Sequence, residues 1–212
     1  MLGLLPYWNS AKGGETRPAL SDERGLLMQQ LGPKYYHLAK QGMVFTGNSA
    51  AGGSVLPIFS NTAQVFGIWN PAGSGVNACI INVRGTYVST TGAAGGYVLA
   101  VCKNAGSAIA TGGISVFTQG TPERGIVGSG LGGNKVLFTP SAATVIAPVI
   151  LRQLGISQTV LTATDATNLW SAFKEDYDGD LVVAPNTAVF LAGNIATLCT
   201  IASSITWAEI PV

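Results

Sequence analysis

After Gly42 the chain is divided into short apolar runs by clusters of glycine, asparagine, serine and proline. Turn clusters such as 70–75, 92–96 and 128–133 recur too often to leave room for long amphipathic helices. A parallel α/β sheet needs crossover connections of about a dozen residues or more, so the pattern argues against one. Short runs rich in Val, Ile and Thr between turns are typical of antiparallel sheets. The pattern therefore predicts an all-β fold, either an antiparallel sandwich or a barrel.

Eleven apolar runs are candidate strands, because each is bounded by residues that favour turns. They are 43–46, 54–59, 64–70, 76–88, 96–103, 114–118, 134–138, 145–153, 180–184, 187–193 and 196–209. Only 165–176 has the pattern of a short helix or an ordered loop. Several runs, such as 76–83, are apolar at successive positions, which is typical of strands covered on both faces. In a two-layer sandwich the second face needs a cover, either a neighbouring subunit or an N-terminal arm.

The N-terminal segment differs in composition from the rest of the chain. Residues 1–43 hold eight of the 21 charged residues, and this shift marks a boundary near Gly42. We therefore expect an N-terminal arm over 1–42 and a single β-sandwich domain over 43–212. A chain of this length can bury a full core without disulfides or a structural metal.

The arm has the pattern of a short helix followed by a turn. Ser21 is a suitable N-cap, the apolar residues between 27 and 31 share one face, and Gly32-Pro33 ends the helix. A second short turn over 35–39 is closed by Gly42. The arm either packs on its own domain or docks on a neighbouring subunit, and both interpretations stay open. The residues expected to contact a subunit or a capsid shell are Leu27, Met28, Leu31, Tyr35 and Tyr36.

The low charge of the chain excludes several classes of protein. Charged residues make up only 10% of the sequence, against about 25% in an average soluble domain. A formal net charge of +1 without a basic stripe argues against a nucleic-acid binder, and no stretch reaches the roughly 18 apolar residues of a membrane helix. Low charge is typical either of a Ser/Thr-faced β domain or of a protein that works within an assembly.

Residues that could carry chemistry are few. His37 is the only histidine, and it lies far from any nucleophile motif, which argues against a catalytic triad. Cys79, Cys102 and Cys199 lie in apolar runs without a CxxC motif, so we expect buried free thiols in a reducing compartment. The sequence therefore predicts a protein without metal, without cofactor and without enzymatic activity.

Two segments are similar to binding motifs but depart from them. Residues 128–135 are glycine-rich, yet Asn134 precedes Lys135 and a strand pattern follows, whereas a phosphate loop opens a helix. We expect a loop between strands there. Residues 175–180 hold four of the ten acids without the spacing of a calcium-binding EF-hand loop. A solvated turn at Asp178-Gly179 is our first interpretation, and a weak surface Ca²⁺ site over Asp176 to Asp180 is the second.

The remaining acids and the four tryptophans are dispersed in the sequence. Glu123, Asp165 and Glu209 could serve as the acid and base of a hydrolase only if folding pairs two of them. A glycan-binding platform would need folding to gather tryptophans near the acids of 176–180. Core packing is the expected role of each tryptophan.

Three stretches carry a resemblance to a known group of proteins. They are 36–45, with the sequence Tyr-His-Leu-Ala-Lys-Gln-Gly-Met-Val-Phe, 69–75, with Trp-Asn-Pro-Ala-Gly-Ser-Gly, and 207–212, with Trp-Ala-Glu-Ile-Pro-Val. Together they resemble structural proteins of tailed bacteriophages, in which a β-sandwich follows a polar arm. The sandwich is similar to the jelly-roll or tumour-necrosis-factor-like proteins that decorate phage heads, and 178–187 fits their penultimate hairpin.

This resemblance implies a jelly-roll sandwich that acts as a head decoration or cement protein. It implies a location on the outer surface of the virion after synthesis in the host cytoplasm. The implied partners are the major capsid protein or other virion proteins, with a homotrimer as the expected assembly and with no nucleic acid or membrane. The alternative is a tail, fibre or baseplate module that binds a host-surface glycan.

Overall fold

The structure is a computed structural model that describes most of the sandwich and part of the N-terminal region. It describes residues 19–20, 26–27, 33–56, 58–59, 66–88, 95–103, 121–126, 133–139, 148–157, 172–195 and 199–212. The chain divides into two compact units, Met1–Tyr36 and His37–Val212. Each unit is described by itself.

The first unit contains a small antiparallel pairing. Strand β1 (Ala19–Leu20) pairs with β2 (Leu26–Leu27), with Ala19 opposite Leu27. The prediction of a helix through Leu27 is therefore wrong at Leu26 and Leu27, and the rest of its apolar face, Met28 and Leu31, lies outside the described residues. A helix there would include Gly25, which costs about 1 kcal/mol relative to alanine, whereas pairing with β1 satisfies the same backbone groups.

The short turn predicted near residue 36 is confirmed as helix α1 (Tyr36–Lys40). The amides of Gln41 and Gly42 donate to the carbonyls of His37 and Ala39, at 3.0 and 2.9 Å. Gly42 has a φ of +72°, a left-handed conformation that glycine adopts without steric cost and that commonly ends a helix. The chain then enters the first strand of the sandwich.

The second unit is an all-β sandwich. Its strands are β3 (Val44–Asn48), β4 (Phe66–Asn70), β5 (Val76–Tyr87), β6 (Gly95–Lys103), β7 (Glu123–Arg124), β8 (Leu137–Thr139), β9 (Val149–Ser157), β10 (Phe173–Val183), β11 (Thr187–Gly193) and β12 (Ile201–Pro211). They form two five-stranded antiparallel sheets, β10-β5-β12-β3-β7 and β8-β4-β11-β6-β9. The predicted antiparallel β-sandwich is confirmed.

The eight longer strands are paired like a folded hairpin. The first pairs with the last (β3 with β12), and the inner pairs are β4 with β11, β5 with β10, and β6 with β9. Each connection between consecutive members of these eight strands, except that from β6 to β9, passes from one sheet to the other. The nested pairs are therefore distributed over two layers. Nested pairing of eight strands in two sheets is the topology of a jelly roll.

Strand β10 replaces the helix or loop that the sequence suggested for 165–176. Residues 165–171 lie outside the described part of the chain, but from Phe173 onward the backbone pairs with β5. Phe173 and Tyr177 are buried while Lys174 and Asp176 are exposed, an alternation of period two that only a strand provides. The predicted turn at Asp178-Gly179 appears as a bulge within this strand, with φ values of +54° and +93°.

The core between the sheets is built on aromatic rings. Trp207 is fully buried, and its ring stacks on Phe45 and Phe138 with centroid distances of 5.9 and 6.3 Å. Glycines opposite the rings make room for them. A Cβ at Gly47 would lie 2.5 Å from the Phe138 ring, and one at Gly85 would lie 2.6 Å from Phe173. Part of the high glycine content therefore serves packing within strands.

A second apolar cluster lies on the outward face of the second sheet. It consists of Val98, Ala100, Cys102, Ala188, Phe190 and Ala192, with Phe59 and Trp69 packed against it. Strands β6 and β11 are thus buried on both faces within a single chain. The sequence of β5 predicted a strand that is covered on both faces. In the structure, its outward residues Asn77, Cys79 and Asn82 are only half-buried. The doubly apolar strands therefore do not require a partner subunit.

Candidate functional site

Of the five arm residues predicted to contact a partner, the structure describes the side chains of Tyr35 and Tyr36 only. Leu27 lies in β2, and Met28 and Leu31 are outside the described residues. Tyr35 is half-buried, with the ammonium nitrogen of Lys34 lying 5.4 Å from its ring centroid, and Tyr36 begins α1. Contacts of these five residues with another subunit or with a shell remain a proposal.

The acidic segment 175–180 is engaged in surface ion pairs. Glu175 lies 3.5 Å from Arg152, and Asp176 lies 3.6 Å from Arg84 and 3.1 Å from Lys174. Within the described part of the chain, no group of three or more His, Cys, Asp or Glu residues is arranged to hold a metal ion. The Ca²⁺ interpretation of Asp176 to Asp180 therefore has no geometric support.

Of the three acids considered for a hydrolase, the structure describes Glu123 and Glu209. Glu123 is exposed on the edge strand β7, and Asp165 lies outside the described residues. Glu209 is 5% exposed, and its carboxylate accepts hydrogen bonds from the backbone amides of Lys135 and Val136, at 2.9 and 3.0 Å. A buried carboxylate saturated by fixed donors holds the fold together, and it is badly placed to exchange a proton with a substrate.

The described end of the glycine-rich segment, from Gly133 onward, binds a carboxylate of the same chain. Gly133 has a φ of +79°, and the successive amides of Lys135 and Val136 point at the carboxylate of Glu209. Successive backbone N–H groups beside a left-handed residue form the type of concavity that binds anions. Glu209 from β12 fills this concavity, so the described end of the loop is held against the sandwich by the chain's own side chain.

The three cysteines are free thiols. Cys102 and Cys199 are buried, and Cys79 is half-buried on β5. Burial raises the pKa of the Cys79 thiol above its usual range, which lowers the fraction of the nucleophilic thiolate. His37, the histidine that a triad would require, lies in α1.

Edge strand β9 carries four of the exposed large apolar side chains among the described residues. The residues Val149, Ile150, Leu151 and Ile156 form what we call the β9 edge, with Val149 59% and Ile156 74% exposed. Among the described strands, β9 pairs only with β6. Two register shifts relative to β6 mark bulges, which disfavour the addition of a further strand. Contacts at the β9 edge are therefore expected to involve side chains.

The single charge of β9 is neutralised by the neighbouring strand. Arg152 pairs with Glu175 of β10, and its guanidinium carbon lies 5.1 Å from the ring centroid of Tyr177. Burial raises the pKa of Tyr177, so this phenol stays neutral. The side chain of Arg152 stays 54% exposed, but its ion pair with Glu175 carries no net charge, so the surface around the β9 edge is apolar and neutral overall.

Comparisons with protein-family models, with curated proteins and with solved structures found no match. Among the described residues, no helix is long and apolar enough to cross a membrane. The functional argument therefore depends on the surface of the sandwich itself.

Proposed function

We propose that the protein is a non-enzymatic structural protein of a bacteriophage virion, in the role of a head decoration protein that binds and stabilises the major capsid shell. The β9 edge is the observation that carries this proposal. Isolated apolar residues are normal on a protein surface, but an exposed apolar strand without net charge is characteristic of a contact surface. The three stretches that resemble phage structural proteins support the same role.

The mechanism is association rather than catalysis. Copies of the chain pack side chain against side chain through the β9 edge and form a trimer. The trimer binds the assembled shell and not its separated subunits, so it stabilises the shell by mass action. Low charge suits this role, because few charged groups lose their hydration when the surfaces meet.

Replacing Ile156 with aspartate should break the self-association. The side chain is 74% exposed, so the substitution leaves the folded chain intact. An unpaired carboxylate within an apolar contact is costly, and we expect association to weaken by at least about tenfold. Sedimentation velocity across a concentration series measures the change.

Ile126→Asp is the matched control for this experiment. Ile126 is 41% exposed and follows β7, which lies at the opposite edge of its sheet from β10 and hence away from β9. This variant should associate like the unmodified chain. An interface at the β9 edge would be contradicted if both variants associate like the unmodified chain, or if both lose association to the same extent.

The arm is proposed to contact the shell through its apolar and aromatic residues. Substituting both Tyr35 and Tyr36 with serine should weaken co-sedimentation with shells assembled from the major capsid protein by more than about tenfold, because buried aromatic anchors cost about 2 kcal/mol or more each. His37→Gln is the neighbouring control and should bind normally. Unaltered shell binding by the double variant, with its unfolding temperature also unchanged, would refute the role of the arm.

A tail, fibre or baseplate module that binds a host glycan is the second candidate function. The groove predicted for it, with tryptophans beside the acids of 176–180, does not include Trp207, which is buried in the core, or Trp69, which packs on the second apolar cluster. A polar pocket elsewhere on the first sheet is the observation that favours this function.

A further inference from the structure

A shallow pocket of about 220 Å³ opens on the outward face of the first sheet. Its polar lining comes from three neighbouring strands and the loop after β3, and consists of Asn48, Ser49, Arg84, Thr86, Ser203 and Ser204. The strand register explains the grouping, because Ser204 of β12 lies opposite Arg84 on one side and opposite Asn48 on the other. None of the residues that line the pocket is aromatic.

The wall of this pocket is fixed to β12 by hydrogen bonds. The amide of Ser49 donates to the carbonyl of Ser203, and the amide of Ser203 donates back to Ser49 Oγ, both at 2.9 Å. Ser54 and Ile201 exchange two further backbone hydrogen bonds. Gly53 has a φ of +65°, and a Cβ there would lie 2.6 Å from the Ile201 carbonyl oxygen. The wall is therefore preorganised, which lowers the entropic cost of binding.

Several donors in the pocket are not used by the protein. Within the described part of the chain, the side chains of Asn48, Thr86 and Ser204 make no hydrogen bond. Arg84 Nη2 lies 3.6 Å from Asp176 Oδ1, which is an ion pair but is longer than a hydrogen bond. The directed N–H groups of the guanidinium therefore stay available to a ligand.

The charge around the pocket favours an anion. Asp176 is shared between Arg84 and Lys174, so these three groups carry a net positive charge. A guanidinium binds a carboxylate through two parallel hydrogen bonds, while hydroxyl and amide groups beside it match the hydroxyls of a sugar. A neutral sugar would be expected to stack on an aromatic ring, which this pocket lacks.

We propose that this pocket binds a compact ligand that carries one carboxylate beside several hydroxyl groups, the chemistry of an acidic monosaccharide unit. Its volume lies below the roughly 300–1,000 Å³ of pockets for drug-sized molecules, which fits a single sugar residue. Arg84 binds the carboxylate, and Thr86, Ser204 and Asn48 bind the hydroxyls. The inference does not rest on association through the β9 edge, because the pocket lies on the other sheet.

Titration of the full chain by NMR, with methyl glucuronide, N-acetylneuraminic acid and methyl glucoside, tests this proposal. At least one of the two acidic sugars should give saturable shifts of the Ser49 and Ser204 amides. We expect the neutral glucoside to bind at least about tenfold more weakly, because it leaves the guanidinium without its anion. No saturable shift with either acid, or equal binding of the glucoside, would overturn the proposal.

Three exposed substitutions locate the binding in the pocket. Arg84→Gln should weaken binding of the acidic sugar by at least about tenfold, and Thr86→Val, which keeps the shape of the side chain, by about threefold or more. Lys135→Gln is the control with the same loss of charge. Lys135 lies beside Glu209, five residues along β12 from Ser204 and hence about 16 Å away, and its variant should bind within about twofold of the unmodified chain. If Lys135→Gln weakens binding of the acidic sugar as much as Arg84→Gln does, the loss would reflect the net charge of the protein rather than a contact in the pocket, and the site would be refuted.

Discussion

Replacing Trp207 with alanine is expected to lower the free energy of unfolding by about 4 kcal/mol, the largest effect that we expect from a single substitution in this chain. The indole is fully buried between Phe45 and Phe138, with both rings within about 28° of parallel. Its removal leaves a cavity between the two sheets that the rigid strands on either side cannot close. Urea unfolding followed by circular dichroism measures the loss directly.

Trp207→Phe separates the packing of the ring from its hydrogen bond. The indole nitrogen donates to Glu209 Oε1 at 3.3 Å, and phenylalanine keeps most of the ring contact while it loses this donor. We expect a loss of about 1–2 kcal/mol for this variant. A Trp207→Ala variant that unfolds within about 1 kcal/mol of the unmodified chain would contradict the packing described for the core, where about 3–5 kcal/mol is usual.

Glu209→Gln is expected to cost about 3 kcal/mol, although it changes one oxygen to nitrogen. The carboxylate accepts from two backbone amides and from the indole of Trp207. A glutamine amide group would turn its own N–H groups towards at least one of these donors, and a buried donor without an acceptor costs about 1–3 kcal/mol. For a chain of this length, we expect the melting temperature to fall by about 6–12 °C.

Glu123→Gln is the matched control for Glu209. Glu123 is an exposed carboxylate on β7, so the same chemical change there should alter stability by less than about 0.5 kcal/mol. Equal stability of the Glu209 and Glu123 variants would mean that the contact with Lys135 and Val136 does not hold the loop in solution.

The sequence predicts the strands well because their signals are local. Apolar runs and the turn residues between them place most of the described strands near their observed bounds. The run 54–59 contains only isolated bridges at Ser54 and Ile58, and 114–118 lies outside the described residues. The jelly-roll pairing is not local, since β3, the first strand of the sandwich, pairs with β12, the last. Only the resemblance to phage proteins suggested it, because the strand pattern by itself left a sandwich and a barrel open.

The failures of prediction have physical causes. The sequence pattern assigns Leu27 to the apolar face of a helix with Met28 and Leu31, yet Leu26 and Leu27 pair with β1. An apolar spacing of one to four residues does not tell a short helix from a short strand. For strands that are apolar on both faces, the sequence left two possible covers, a neighbouring subunit or the N-terminal arm. Strands β6 and β11 do not need a neighbouring subunit, because their outward faces are buried within the chain. Sequence shows that a face is apolar, but not which atoms cover it.

The sites were predicted less well than the strands, since they combine residues that are distant in sequence. Glu209 could have been identified, because a lone acid in an otherwise apolar run beside Trp207 indicates a buried, partnered carboxylate. Its partners at 135–136 could not, because they belong to a loop in a distant part of the sequence. Arg84, Thr86 and Ser204 carry no motif, and only the register of β5 and β12 places them at one pocket.

The native mass of the unmodified full chain tests the central proposal most directly. Light scattering across a concentration series distinguishes a single chain of 21.7 kDa from a trimer of three times that mass. The assembly role predicts a stable trimer that Ile156→Asp dissociates. A strict monomer at every concentration would contradict association through the β9 edge.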